Sequence, residues 1–318
     1  MNDCIEQQLG LLKSVEESWQ PSDVLPDLVR ADWRDEVEKL RTKAALLPDE
    51  LLVVLVGNIV TEEALPSYQT WLNRTRGLKD ETGMSQTPWA LWTRGWTAEE
   101  NRHGEVLSKY LYLSGRVDMH SVEVTIQHLL RNGFDLKSGG DPYRSIVYAS
   151  FQERATKISH SNTGRFAEKC GDPTLAKMCF LIAGDEARHE EAYKRLFGGI
   201  LETDASEGVI AFADMMRQKI AMPARFMSDG SDRNLFEQYA LAAQRSGVYT
   251  MRDYADVIEH LTNFWDIGLL KGLTAEAEEG RDYLCGLPKR FRDRSDRAEE
   301  AIRNLPTAPF KWIFDRRV

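Results

Sequence analysis

Two short runs in this chain are nearly the same: Glu99-Glu100-Asn101-Arg102-His103 and Asp185-Glu186-Ala187-Arg188-His189, each an acid followed by Glu-x-Arg-His. Residues three apart on a helix project from neighbouring positions of one face, so each run offers a carboxylate and an imidazole to one point. Two such helices facing each other make a metal site, completed by one Glu from each of two further helices. The sequence supplies these at Glu62 and Glu153, 38 and 33 residues upstream of Glu100 and Glu186, so the order Glu, connection, Glu-x-x-His occurs twice. With six histidines in the chain, chance placement gives roughly half a Glu-x-x-His pair. One copy alone reads as a solvated helix face with an ion pair. The duplication, with Arg before each His and an acid before each Glu, reads as a binuclear centre held by Glu62, Glu100, His103, Glu153, Glu186 and His189.

Helical periodicity dominates the rest, and strand-like alternation bounded by turns is nearly absent. Helices are predicted near 4–18, 35–46, 49–76, 86–114, 119–132, 142–168, 174–197, 206–221, 232–245, 251–268 and 273–302. The four metal-bearing segments, 49–76, 86–114, 142–168 and 174–197, are the expected core. The predicted fold is therefore all-α, a ferritin-like di-iron four-helix bundle within about eleven helices, with residues 1–318 as a single domain. The apolar run Leu51 to Val60 carries Glu62 and Glu63 into a dry layer, where a carboxylate is costly unless it coordinates or pairs. Pro66, four residues beyond Glu62, removes a backbone hydrogen bond and is expected to kink that helix beside the site.

Hydrophobic residues at 42% and charged ones at 29% describe a soluble globular protein rather than a disordered one. No stretch approaches the apolar length expected of a membrane span, and a net charge of -9 disfavours general nucleic-acid binding. Cys4, Cys170, Cys179 and Cys285 are scattered without C-x-x-C spacing, which implies a reducing compartment and no iron–sulfur cluster. Electrons, if the reaction needs them, come from another protein. The N-terminal residues lack the pattern of a signal or transit peptide. Charge is uneven: residues 281–318 hold ten Lys or Arg against six Asp or Glu, which leaves -13 for residues 1–280. Lys289, Arg290, Arg292 and Arg294 are candidate contacts for an acidic partner, or simply a solvated helix surface.

Four carboxylates balance two divalent cations, so the loaded site is neutral, as burial requires. Carboxylates with two imidazoles, and no Cys in either motif, suit iron or manganese. Iron with open positions takes O₂, which opens oxidase or oxygenase chemistry. Asp185 is placed to hold a histidine by its other ring nitrogen. Thr156, one turn beyond Glu153, is a candidate for steering O₂, or for bonding back to its own helix. Trp89, Trp92 and Trp96 read as core.

Longer blocks add to these residues. They include Val53-Val54-Leu55-Val56-Gly57, Thr61-Glu62-Glu63-Ala64-Leu65-Pro66, Trp96-Thr97-Ala98-Glu99-Glu100-Asn101-Arg102-His103-Gly104, Ser150-Phe151-Gln152-Glu153-Arg154-Ala155-Thr156 and Trp312-Ile313-Phe314-Asp315-Arg316. Through them the chain resembles the soluble, plant-type acyl-acyl carrier protein desaturases, from about Glu16 to Val318. The resemblance implies a homodimer with two iron ions per chain. It implies removal of two hydrogens from an acyl chain carried on acyl carrier protein, with O₂ as oxidant and reduced ferredoxin as electron donor. The family's iron ligands fall on the same six residues, Thr156 on the hydroxyl near the O₂ site, and Trp19, His103 and Asp185 on an electron entry line. Without the resemblance, Trp19 beside Gln20-Pro21 reads only as a cap on the bundle. The compartment expected is the bacterial cytoplasm, or the plastid stroma in a plant or alga.

The chain departs from stearoyl-type members at the far end of their acyl tunnel, with Trp71, Arg74-Thr75, Leu136 and Pro142-Tyr143-Arg144-Ser145. A larger group in a closed tunnel shortens the accepted chain or shifts which carbons reach the metal. Readings outside desaturation are a ferritin-like iron-handling protein, a radical-generating reductase subunit, a di-iron hydroxylase, and a partner-binding protein with a structural metal.

Overall fold

The structure is a computed structural model that describes residues 2–220 and 222–318. Twelve α-helices lie among the described residues: α1 (Asn2–Glu6), α2 (Trp33–Ala44), α3 (Asp49–Glu62), α4 (Leu65–Leu72), α5 (Pro88–Ser114), α6 (Met119–Asn132), α7 (Pro142–Lys169), α8 (Pro173–Thr203), α9 (Ala205–Arg217), α10 (Leu235–Ser246), α11 (Met251–Phe264) and α12 (Ala275–Asn304). One short antiparallel pair, β1 (Pro309–Phe310) and β2 (Arg316–Arg317), closes the C-terminal tail. The predicted all-helical, ferritin-like class is the observed one.

Three of the four long core segments start alike, at Thr87-Pro88, Asp141-Pro142 and Asp172-Pro173. Each cap side chain accepts the backbone N–H three residues on, from Ala90 at 3.3 Å, Arg144 at 2.9 Å and Leu175 at 2.9 Å. Proline then occupies the first turn, where its missing N–H leaves no gap. A tight reversal at Gly171, with φ of +85°, joins α7 to α8, and these two pack along their length.

The interior is two apolar cores with a polar layer between them. One core gathers α3, the C-terminal half of α5 and the start of α8, for example Leu55, Leu107 and Ile182. The other gathers the start of α5 and α7 and the end of α8, for example Trp92, Phe151 and Leu196. The Glu-x-Arg-His runs fall where these two cores meet.

Two segments differ from the prediction. The helix expected over 49–76 is broken, not kinked: α3 stops at Glu62 and α4 restarts at Leu65 with Pro66 in its first turn. The proline ring cannot share space with the carbonyl four residues back, that of Glu62, and one residue earlier the Thr61 carbonyl accepts from Ala64 N at 3.2 Å and from Tyr68 Oη at 2.7 Å. Glu62 therefore sits at a helix end. The helix expected over 4–18 is confined to α1 and a single turn at Leu9–Leu11. Beyond it the backbone gives up helical bonds for side chains of the core: Lys13 N donates to Glu99, while the Leu11 and Trp19 carbonyls accept from Arg188 and Arg102. Elsewhere the boundaries move by a few residues. The helix predicted to end at 197 runs on to Thr203, and the one predicted over 206–221 ends at Arg217, position 221 lying outside the described residues. The stretch Asp49–Leu72 does reach the length and apolarity of a membrane span, contrary to the sequence reading, but 78% of its most apolar window is buried inside the protein.

Candidate metal centre

α3 delivers Glu62, α5 delivers Glu100 and His103, α7 delivers Glu153, and α8 delivers Glu186 and His189. All six are buried. Their ligand atoms fall into two groups, Glu62, Glu100, His103 and Glu186, and Glu100, Glu153, Glu186 and His189, each with its atoms within 4.8 Å of one another. Glu100 and Glu186 belong to both. Two shared carboxylates flanked by a carboxylate and an imidazole on each side is the geometry of a binuclear site.

The site also carries polar atoms that the protein does not satisfy. Glu100 Oε1, both oxygens of Glu186, and Nδ1 of His103 and His189 are buried and make no hydrogen bond. Buried polar atoms are nearly always bonded, so five orphans converging on one point need an explanation. His189 Nδ1 approaches Glu100 Oε1 to 2.7 Å without hydrogen-bond geometry. Lone pairs facing lone pairs are reconciled by a cation between them. Electrostatics agree. Burial and the neighbouring carboxylates, Glu186 and Glu100 respectively, push Glu153 and Glu186 above the usual carboxylate range. Burial also works against ionised Glu100, but His103 and His189 overcome it and hold that carboxyl at about 2. Oxygen and imidazole donors without a thiolate fit hard or borderline divalent cations.

Behind the metal-facing atoms, each histidine is held by the acid that precedes the other motif's glutamate. His103 Nε2 lies 3.3 Å from Asp185 Oδ2, and His189 Nε2 lies 3.1 Å from Glu99 Oε2. This fixes the proton on Nε2 and leaves Nδ1 free toward the centre. Asp185 thus lies where the sequence reading put a histidine holder. Its counterpart Glu99 was missed, although the repeated acid was its signal. Trp19 joins the same cluster: its Nε1 donates to Asp185 Oδ2 at 2.8 Å and its ring stacks on His103, 6.2 Å between centroids. Two further partners were not read from sequence. His160, seven residues beyond Glu153, places Nε2 2.8 Å from Glu62 Oε1, and Trp96, read only as core, donates Nε1 to Glu153 Oε1 at 3.0 Å.

On the opposite side a narrow cavity of about 50 Å³ touches Glu62, Glu100, Glu153 and Glu186. Thr156 lines it, with its hydroxyl donating back to the carbonyls of Gln152 at 3.1 Å and Glu153 at 3.0 Å. The expected bond back to its own helix is therefore present. Trp71, Phe134 and Tyr148 wall the cavity with edge-packed rings, and Trp71 Nε1 donates to Ser138 Oγ at 3.3 Å. Trp71 and Phe134 also line a second, outer cavity of about 770 Å³ that includes Arg74. A groove of about 440 Å³ runs past Phe151, Ser159, Met222, Tyr254 and Arg294. Of the basic residues singled out in α12, only Arg294 lines this groove. Lys289 pairs with Asp293, Arg292 with Asp256 and Glu259, and the Arg290 guanidinium lies 5.9 Å from the Tyr283 ring.

Fold and site together define a ferritin-like helical protein built around a buried carboxylate–histidine cluster suited to a metal centre. The family model described as fatty acid desaturase matches residues 1–314, and the chain belongs to that family. It is 53% identical to the chloroplastic stearoyl-acyl-carrier-protein 9-desaturase of Spinacia oleracea, over 98% of this chain and 78% of the relative. It is 52% identical to the chloroplastic acyl-acyl-carrier-protein desaturase of Cucumis sativus, over 100% of this chain and 81% of the relative. Among solved structures, DesA2 of Mycobacterium tuberculosis, assigned provisionally as an acyl-ACP desaturase, superimposes with a TM-score of 0.55 at 18% identity, covering 88% of this chain and 96% of that one. At that identity the likeness speaks for the fold.

Proposed function

We propose that this protein is an acyl-carrier-protein desaturase that uses two iron ions, O₂ and electrons from a reduced ferredoxin to place a double bond in a saturated acyl chain. The overall change is –CH₂–CH₂– + O₂ + 2e⁻ + 2H⁺ → –CH=CH– + 2H₂O. The observation that carries the reading is the contact between the six-residue cluster and a cavity walled by Trp71, Leu72, Phe134, Tyr148 and Ala149. An iron-handling protein has no use for an apolar cavity at its metal centre, whereas a methylene chain needs one.

Iron held by Glu62, Glu100, His103, Glu153, Glu186 and His189 would supply the oxidising power for breaking two unactivated C–H bonds. The chain's own residues do the rest. The apolar wall binds the acyl chain and keeps water from the reacting carbons. Trp71 stops the methyl end, which sets an upper limit on chain length. Asp185 and Glu99 hold the two imidazoles in orientation through Nε2. Electrons enter along Trp19, Asp185 and His103, whose contacts of 2.8 and 3.3 Å form a continuous polar line from near the surface. Thr156 faces the side on which O₂ arrives. The open groove beside Ser159 and Arg294 is the way in for the carrier-bound chain, with Arg294 and its basic neighbours Lys289, Arg290 and Arg292 steering an acidic carrier. The working unit is a homodimer in a reducing compartment, plastid stroma or bacterial cytoplasm, in keeping with four free cysteines.

The test is reconstitution with iron, ferredoxin, its reductase, NADPH and acyl carrier proteins bearing chains of graded length. Mass spectrometry of the products is expected to find a monoene with one defined double-bond position. Consumption of O₂ with iron oxidation and no acyl product for any chain would overturn the reading in favour of iron handling, and a hydroxylated chain would move it to a hydroxylase.

A further inference from the structure

The two histidines are joined through one side chain. Arg188 NH2 bonds Glu99 Oε2 and, at 2.6 Å, Asp185 Oδ1, while its NH1 reaches Glu99 Oε1 at 3.2 Å and the Leu11 carbonyl at 2.5 Å. Glu99 holds His189 and Asp185 holds His103. Arg102, the equivalent residue of the first motif, does not do the same. It bonds Asp185 Oδ2 at 3.1 Å and the Trp19 carbonyl at 3.1 Å, but toward Glu99 its Nε donates only to the backbone carbonyl at 3.4 Å and its guanidinium stays 3.9 Å from the carboxylate. The motifs are symmetric in sequence and asymmetric in space.

We propose that Arg188 is a positioning residue that makes one unit of the two ligand histidines by clamping Glu99 and Asp185 together. The inference rests on the metal reading of the six-residue cluster. Guanidinium is suited to this because its planar fork presents several donors at fixed angles, which a lysine ammonium does not. Without Arg188, Asp185 Oδ1 has no other side-chain partner, and Glu99 keeps, besides its histidine, the Lys13 backbone N–H and the longer 3.9 Å ion pair to Arg102. Both imidazoles then lose a fixed point. Without Arg102, the Glu99 carboxylate keeps its hydrogen bonds to Lys13 N, Arg188 and His189, so the larger disturbance falls on His103. The N-terminal segment is part of the clamp, since Leu11 O and Lys13 N close it from outside.

The experiment uses the full chain loaded with Co(II), read by proton NMR. Wild type is expected to bind two Co(II) per chain and to show two solvent-exchangeable, paramagnetically shifted Nε2–H signals. Glu99→Gln and Asp185→Asn assign these to His189 and His103. Arg188→Gln should shift both signals, speed their exchange with water and weaken Co(II) binding by roughly 10–100-fold, the range for losing partners of a ligating histidine. Arg102→Gln should move only the His103 signal. Arg188→Lys, which keeps the charge but not the fork, should resemble Arg188→Gln. The proposal is overturned if Arg188→Gln moves one signal or none, or if Arg188→Lys behaves as wild type, which would make charge alone sufficient. Should Arg188→Gln fail to fold, the lysine variant and Arg102→Gln still decide the matter. Wild type that takes up fewer than two Co(II) would instead overturn the binuclear reading itself.

Discussion

The two sides of the carboxylate layer are built on opposite principles. Behind the histidines, Glu99, Asp185, Arg102, Arg188 and Trp19 form a closed set of charge-assisted bonds, and even the backbone of the N-terminal segment is drawn into it. In front, aromatic and aliphatic groups wall the cavity, while Gln152 Oε1 and Tyr193 Oη, which line it too, are buried without a hydrogen bond. The rear fixes where the imidazoles point. The front leaves metal-facing atoms free beside an apolar wall. The same six residues must be both held and left available, and the division between Nε2 on one side and Nδ1 and carboxylate oxygens on the other achieves this.

The sharpest way to break that division is at a residue both halves of the centre share. Glu186→Ala removes a carboxylate common to both ligand groups, so iron content should fall toward zero and turnover by at least about 100-fold, more than the loss of any outer partner. Elemental analysis beside product assays checks this. Asp185→Asn disturbs only the rear and should cost roughly 10–100-fold in metal affinity or turnover. Equal losses for the two variants would mean that the rear is as essential as the ligands, and the contrast fails.

The front is tested by Trp71→Leu, which shortens the wall between the inner and outer cavities. A methylene in an apolar pocket is worth about 1–3 kcal/mol in discrimination. The ratio of turnover on a longer chain to that on the wild type's preferred chain should therefore rise by about tenfold, with iron content unchanged. An unchanged length profile would show that the wall lies elsewhere.

What could be read in advance divides along the same line. The candidate cluster was legible because helical spacing is local: Glu100 with His103 and Glu186 with His189 are pairs on one face whatever the tertiary structure does. The bundle followed from them. The N-terminal segment was not legible, because Leu11, Leu12 and Trp19 carry helix-like apolar spacing while the backbone of Leu11, Lys13 and Trp19 serves Arg188, Glu99 and Arg102, residues far away in the chain. Pro66 was noticed, but whether it kinks or ends a helix is settled by tertiary contacts around the break, such as the Tyr68 hydroxyl on the Thr61 carbonyl. Glu99 had its signal in the repeat and went unused, and His160 had none, since a lone histidine on an apolar helix face is usually just core. Crossed pairing between motifs is a tertiary fact.

The smallest effect is the most discriminating, because the two sides should respond to pH with opposite sign once the metal is gone. Burial works to raise Glu99, but His189 and Arg188 outweigh it and hold the carboxyl at about 2, below the ordinary value of about 4.3. A depressed folded value means that its contribution to stability is complete above about pH 4.3 and is lost as the pH falls toward the folded value. Glu153 and Glu186 are raised by burial and by their carboxylate neighbours, so their contribution is present at low pH and is lost as the pH climbs through their raised values. Metal-free Glu153→Gln should therefore melt higher than metal-free wild type at neutral pH, by on the order of 2 °C, with the gain vanishing near pH 4, and iron should reverse the order because the variant has lost a ligand. Metal-free Glu99→Gln should melt lower than wild type at neutral pH, and that deficit should shrink as acid protonates Glu99. Circular dichroism melts across pH on the metal-free and iron-loaded proteins read both. Shifts of the same sign in the two metal-free variants would mean that the carboxylates in front are stabilising in their own right, rather than held in place at a cost that only the cations relieve.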